Sequence, residues 1–334
     1  MKKNALYSIV SLLLAALLCG CEKELDFDNE GYSGISVFGL AVVDQPFKLR
    51  VSQSFTVNTN PSYVFSTDYQ YYEEMDSIYL SSIVLPDAEV ALTVNGTEHY
   101  DMKYNAGVWP FEYICDYVPQ VGDHLEVHAR SAGFPDVTMT QDIPKPASIE
   151  VVSTQVKYSE QEFPKDLPIS KDFIAEDSVM EIRLRIHDDG SSRDFYRLIV
   201  RGVADGPGGS GEYYRYLVLY DVFESNDIIF TDYQLTKPYG MWPAKFSNVF
   251  DDHIFNGEDY DVTVQTRKRK GKDPYVFIEL QSISHDLYFF LKSYMIYRIS
   301  TDDVYTTPIG LHSNVDNGFG ILGAVSYDRH IIYY

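Results

Sequence analysis

A chain of 334 residues with a 45% hydrophobic composition is long enough to bury a sizeable core without a disulfide scaffold. Asp and Glu outnumber Lys and Arg by 49 to 27, giving a formal net charge of -22 at pH 7. Such a surface repels phosphate backbones and excludes nucleic acid as a partner.

The N-terminus reads as a secretory signal. Lys2 and Lys3 form a basic start, and an apolar run from Ala5 to Leu18 is broken only by Ser8 and Ser11. As a helix that run covers roughly 21 Å, short of the ~30 Å hydrocarbon core, so cleavage is expected in place of a permanent span. Leu18-Cys19-Gly20-Cys21 follows and looks like a lipobox, with an apolar residue and two small ones before the cysteine to be acylated. Cys21 is thus the expected lipidation site, and residues 1–20 the signal peptide. Cys19 leaves with the signal and Cys21 is consumed as a thioether, so only Cys115 remains as a thiol and no disulfide is expected within the mature chain. The mature chain then depends on its core.

Residues 21–34 are acidic and aperiodic behind the cysteine and read as a tether. The fold class expected for the remainder is mostly β. An immunoglobulin-like or transthyretin-like β-sandwich is expected over 35–147, followed by a β-rich domain with one helix over 148–334. In the first, Glu89–Val94, Asn95-Gly96 and Thr97–Tyr104 spell strand, type I′ turn and strand. His124–Ala129 alternates strictly, and Ile143-Pro144-Lys145-Pro146 closes the domain. In the second, Met180–His187 is expected to pair with Asp194–Val203 across Asp188-Asp189-Gly190-Ser191. Tyr213–Val222 reads as another strand, and Asp261–Thr266 with Tyr275–Gln281 flank a basic hairpin tip, Arg267–Lys272. A helix near 285–298 is marked by Ser284 as cap, Asp286 at its positive end, and Leu287, Phe290, Leu291, Tyr294 and Tyr297 at helical spacing. A glycine-rich tail, Asn317–Ala324, leads into a last strand ending at Tyr334.

Several stretches together resemble a family of Bacteroidetes lipoproteins known as domain of unknown function 4249. They are Val37-Phe38-Gly39-Leu40 with Val51-Ser52-Gln53-Ser54, Pro86-Asp87-Ala88-Glu89-Val90 leading to Gly107 and Gly122, Asp194-Phe195-Tyr196-Arg197-Leu198, Tyr288-Phe289-Phe290-Leu291-Lys292-Ser293, and Asn317-Gly318-Phe319-Gly320. The resemblance spans nearly the whole mature chain. It implies a β-sandwich first domain and a genomic place beside outer-membrane TonB-dependent transporters, and it carries over no catalytic residue. The acidic cluster behind Cys21 likewise resembles the signal that sends such lipoproteins to the outer face of the outer membrane.

Each constellation that invites chemistry has a plainer account. His124, Glu126 and His128 share one face of a strand, which sets the two histidines roughly 13 Å apart at ~3.4 Å per residue, too far for one ion. Gly206–Gly211 matches a phosphate-cradling pattern, but no helix follows it, and Ser210 lacks the second glycine of a nucleophile elbow. Cys115 lies among alternating aromatics and reads as a small core residue rather than a nucleophile. Asp188, Asp189 and Asp194, or Asp251 and Asp252, could bind calcium in loops, yet neither stretch has EF-hand spacing, and turn chemistry accounts for both. Asp76-Ser77-Ile78 and Asp177-Ser178-Val179 resemble a short bacterial O-glycosylation motif.

No catalytic residue, metal site or cofactor is expected, and the chain reads as a non-enzyme. The expected binding residues are aromatic, namely Tyr69, Tyr71 and Tyr72 in one loop, with Trp109 and Trp242. The function expected is that of an outer-membrane lipoprotein binding a glycan, peptide or envelope partner, beside a transporter. A structural adhesin or a hydrolase are the alternatives, and the periplasmic face is the alternative location.

Overall fold

In the first half of the chain, two-residue periodicity sets the strands. β1 (Ile35–Val42) buries Ile35, Val37 and Ala41, and β2 (Lys48–Gln53) buries Leu49 and Val51 against it. The computed structural model describes residues 34–54, 83–106, 111–159, 177–205, 223–235, 246–267, 272–301 and 310–333, all within a single structural unit. As expected, β3 (Glu89–Val94) and β4 (Glu98–Tyr104) form a hairpin. Asn95 and Gly96 take φ of 52° and 70°, the pair of positive values that a type I′ turn requires. A short β5 (Tyr113–Ile114) pairs with both β4 and β2, and β6 (His124–Arg130) and β7 (Val137–Asp142) complete the edge beyond β3.

The second half opens with β8 (Ser148–Ser159) and β9 (Asp177–His187), continues with β10 (Phe195–Asp205), β11 (Val249–Asp251), β12 (Tyr260–Arg267) and β13 (Lys272–Ile283), and ends on β14 (Phe319–Tyr333). These strands divide between two sheets. One has three strands in the order β12-β9-β8, and the other has eleven in the order β11-β10-β13-β14-β1-β2-β5-β4-β3-β6-β7.

Two expected hairpins are therefore not made. β9 pairs with β8 and β12, while β10 pairs with β11 and β13, so the turn after His187 carries the chain from the small sheet into the large one. β12 and β13 likewise belong to different sheets, and the basic segment between them, of which 268–271 lie outside the described residues, does not close a hairpin. The physical reason is shared. Ile182, Leu184 and Ile186 of β9 and Val262 and Val264 of β12 pack with Leu198 and Val200 of β10 and Val276, Ile278 and Leu280 of β13 in one cluster. Pairing each strand to its sequence neighbour would put these apolar rows side by side instead of against each other. Complete burial of one such side chain contributes about 1.5 to 3 kcal/mol.

A second cluster is built from residues 35–143 but takes Val315, Leu322 and Ala324 from the C-terminal end. The connection is the parallel pairing of β1 with β14, from Ser36 opposite Phe319 to Val42 opposite Val325. Of the glycine-rich tail only Asn317 and Gly318 lead in, and from Phe319 onward it is already strand. Gly320, at φ 107°, sits opposite Val37, and a Cβ there would lie 1.9 Å from the Val37 carbonyl oxygen. Helix α1 (His285–Thr301) lies over this region as its sequence predicts. Ser284 accepts the Leu287 N–H at 3.4 Å as its cap, and Leu287 and Leu291 are buried with Val42, Phe195, Val249, Ile283 and Val325. Leu287 packs so closely on Gly323 that a Cβ at that glycine would fall 2.9 Å from it.

Gly320→Ala is expected to lower stability by more than about 2 kcal/mol, because it combines a forbidden φ with a backbone clash. Urea unfolding followed by circular dichroism measures this, and an unchanged midpoint would refute the tight β1–β14 contact.

Candidate functional site

The sheet-switching turn between β9 and β10 is tied down by backbone contact and by side-chain hydrogen bonds. Gly190 (φ 63°) and Gly257 (φ 77°) lie back to back, and a Cβ on Gly190 would come within 2.6 Å of the Gly257 Cα. This contact presses the turn 188–194 onto the turn that follows β11. Asn256 reinforces it by donating from Nδ2 to the Ser192 carbonyl at 3.0 Å.

Three carboxylates meet there. Asp188 Oδ2 accepts the backbone N–H groups of Gly190 (3.1 Å) and Gly257 (2.6 Å), and its Oδ1 accepts the Tyr196 hydroxyl. Asp194 Oδ1 accepts the Ser192 hydroxyl at 3.0 Å. Asp252 Oδ2 accepts the Asp194 N–H at 2.9 Å, and the Asp252 N–H returns a bond to the Asp194 carbonyl at 3.2 Å. One carboxylate oxygen from each of Asp188, Asp194 and Asp252 lies within 4.8 Å of the others. Asp252 is fully buried at 0% exposure, and its Oδ1 has no hydrogen-bond partner.

The electrostatics are those of uncompensated charge. Burial and the neighbouring carboxylates of Asp188, Asp252 and Asp189 push the Asp194 carboxyl up, and burial with Asp188 and Asp251 does the same to Asp252. At this spacing and an effective dielectric of about 20, each ionised pair repels by on the order of 3 kcal/mol, more than one hydrogen bond returns. The adjacent residue shows the contrast. Burial would also raise Asp251, but Arg193 and His253 bind its two oxygens and hold it below the usual carboxylate range. No basic side chain among the described residues forms an ion pair with Asp188, Asp194 or Asp252.

Beneath the cluster, Tyr196 is buried at 2% exposure, stacked on Phe255 with ring centroids 6.2 Å apart. Burial and the bond to Asp188 push its phenol up, so it serves Asp188 as a donor. The cluster therefore rests on the hydrophobic core shared by the two sheets.

The residues singled out from sequence fall elsewhere. Cys21, Tyr69, Tyr71, Tyr72, Trp109 and Trp242 lie outside the described residues, as do Gly206–Gly211, Tyr213–Val222 and Asp76-Ser77-Ile78. His124, Glu126 and His128 stand on the outer face of β6. His124 bonds Asp142 at 2.6 Å and His128 bonds Glu126 at 2.9 Å, while Leu125, Val127 and Ala129 face the core. Cys115 is half-buried against that core, and burial pushes its thiol up. The two aspartate stretches, read from sequence as separate turns, are brought together. The signals for this were present locally, in Asp188-Asp189-Gly190, Asp251-Asp252 and Asn256-Gly257, but nothing in the chain order joins them.

The sequence model of one protein family, described as a domain of unknown function (DUF4249), matches residues 22–331, and the chain belongs to that family. No curated protein and no solved structure matches the chain.

Raised carboxyls bind more protons in the folded than in the unfolded state, so stability falls as pH climbs from about 4, the unfolded value, through the folded values. In chelator at neutral pH, Asp252→Asn keeps the side chain's shape and removes one of three charges. It is expected to raise the thermal midpoint by about 2 to 4 °C. A lower midpoint would show that the carboxylate is satisfied as it stands.

Proposed function

We propose that this member of the DUF4249 family is a lipid-anchored protein of the bacterial outer membrane that binds a ligand or envelope partner beside a TonB-dependent transporter. The observation that carries the reading is Leu18-Cys19-Gly20-Cys21 directly behind an apolar run too short to span. Acylation of Cys21 supplies the attachment. Each buried methylene contributes ~0.8 kcal/mol, so one chain holds marginally and two or more hold firmly. Among the described residues no helix is long and apolar enough to cross a membrane, which suits an anchor made of lipid. The acidic segment behind Cys21 gives reach, and the net charge of -22 keeps the folded part soluble and clear of anionic headgroups.

Binding is assigned to aromatic loop residues, Tyr69, Tyr71, Tyr72, Trp109 and Trp242, which offer broad, rigid contact area to a glycan or peptide. A non-enzymatic role is supported by the state of the one thiol left after processing. Cys115 is half-buried and its thiol is pushed up, the reverse of what a nucleophile needs.

Replacing Cys21 by Ala in the full chain, expressed in a bacterium of the same phylum, is expected to abolish labelling by a palmitate analogue and move the protein from the membrane pellet to the soluble fraction. Persistence in the pellet without label would refute the anchor. Affinity purification of the wild type from native membranes is expected to recover a transporter, glycan or peptide that Tyr71→Ala combined with Trp242→Ala depletes at least tenfold. Equal recovery with both proteins would refute the assigned surface.

A further inference from the structure

We propose that Asp188, Asp194 and Asp252 bind one hard divalent cation, Ca2+ above all, and that the ion ties the sheet-switching turn before β10 to the end of β11. Three observations lead to it. The first is spacing. Ca2+ takes oxygen ligands at about 2.4 Å, so two oxygens on opposite sides of one ion stand about 4.8 Å apart. Carboxylate oxygens of the three aspartates all lie within 4.8 Å of one another and so fit a single coordination sphere.

The second is the fully buried carboxylate of Asp252. Its Oδ2 is engaged by the Asp194 N–H, whereas Oδ1 accepts no hydrogen bond. A buried acceptor left unmade costs about 1 to 3 kcal/mol, and more when it is charged, so native structures seldom keep one without a partner, whether protein, water or an ion.

The third is the missing countercharge. Arg193 and His253 both go to Asp251, so the three clustered acids share no basic partner among the described residues.

The donor set selects the ion. Zinc sites are built mainly on His nitrogen and Cys sulfur, with carboxylates added to them, and neither nitrogen nor sulfur stands in this cluster. Mg2+ demands near-ideal octahedral geometry at shorter distances, whereas Ca2+ accepts six to eight oxygens in irregular arrangements, waters included. Asp188 is pre-positioned for the role by Gly190, Gly257 and Tyr196, and Asp194 by Ser192. The competing way to neutralise the cluster is a shared proton, and the experiment separates the two. The site does not depend on the lipid anchor, so the Cys21→Ala chain is expected to bind the ion equally.

The full-length protein, purified in detergent and stripped with chelator, is titrated with CaCl2 at pH 7.5 against KCl at matched ionic strength. Calorimetry is expected to show one saturable site with a Kd of about 0.1 to 1 mM or tighter, and the thermal midpoint to rise by about 5 °C. Asp252→Asn is expected to weaken binding at least tenfold and abolish the thermal shift, while Asp251→Asn retains both. Tb3+ is expected to luminesce on tyrosine excitation through Tyr196 and to be displaced by Ca2+. Absence of saturable binding, or binding by Asp252→Asn as tight as wild type, overturns the proposal, the latter marking an adventitious ion only. A thermal midpoint that rises on acidification to pH 5 without any response to Ca2+ assigns the neutralisation to a proton and also overturns it. If Asp252→Asn does not fold, Asp194→Asn takes its place, and failure of wild-type Tb3+ luminescence to saturate decides against the site.

Discussion

The contact on which the rest of the structure depends is the parallel pairing of β1 with β14. It places Ser36–Val42, near the start of the folded region, in register with Phe319–Val325, near its end. Two of the three core clusters draw on it. Leu322 and Ala324 complete the cluster made by residues 35–143, while Val42 and Val325 anchor the cluster under α1. Strands brought together across so much chain carry a loop-closure cost that only burial on both faces can offset. Glycine makes that burial geometrically possible. Gly320 admits the Val37 carbonyl and Gly323 admits Leu287, so the backbone of β14 takes the space that side chains would fill elsewhere. Beyond Val325 the same strand leaves β1 and pairs with β13, which carries the sheet into the second half of the chain.

That continuity buries charges as well as apolar groups, and the two cases are instructive together. Glu279 in β13 is fully buried, yet Arg329 of β14 donates to it from Nε at 2.8 Å and Nη2 at 2.7 Å, and Gln281 donates at 2.7 Å. Arg197 is nearly as deeply buried, and burial lowers its guanidinium to about 10 against the pull of Glu279, so it stays protonated at neutral pH. Removing one partner of such a group would cost several kcal/mol. Where this fold buries a carboxylate in the large sheet, it supplies cations and donors. Asp252, equally buried, receives one backbone N–H and two carboxylate neighbours. Held to the standard that Glu279 sets, the cluster at the sheet switch lacks its positive charge.

What could be read from the sequence follows from the range of the interactions involved. The hairpin at Asn95-Gly96, the alternating β6 and the helix after Ser284 are specified within a few residues, by turn geometry, two-residue periodicity and a cap, and each was legible. The turns after His187 and Arg267 were misread as hairpins because the apolar rows of β9 and β10 are equally compatible with side-by-side and face-to-face arrangements. Only the presence of β12 and β13, with matching rows, decides between them. The glycine-rich start of β14 was misread because its signal for close approach points to a partner strand near the other end of the chain. The acidic site was hidden for the same reason. Asp194 and Asp252 meet because the Asp194 N–H donates to the Asp252 carboxylate and the Asp252 N–H to the Asp194 carbonyl, between segments that are distant in sequence, and each taken alone is an ordinary turn.

The proposed anchor and the proposed ion site constrain each other through compartment. An ion held by three carboxylates and solvent, on turns and not in a rigid cage, belongs to the weaker range of calcium sites, which fill where the free ion is near millimolar, outside the cytosol. Secretion by way of the leader before Cys21 would bring the chain to such a compartment, and its strong excess of acidic residues would enrich divalent cations at the surface. Without an ion the same three acids would have to stay apart or share protons. Gly190 and Gly257 in contact hold the two turns together and so force the acids together, against a repulsion that an ion met after export would relieve. The sheet switch would then be most stable wherever that ion is supplied, with the ion providing the charge that the sequence leaves out.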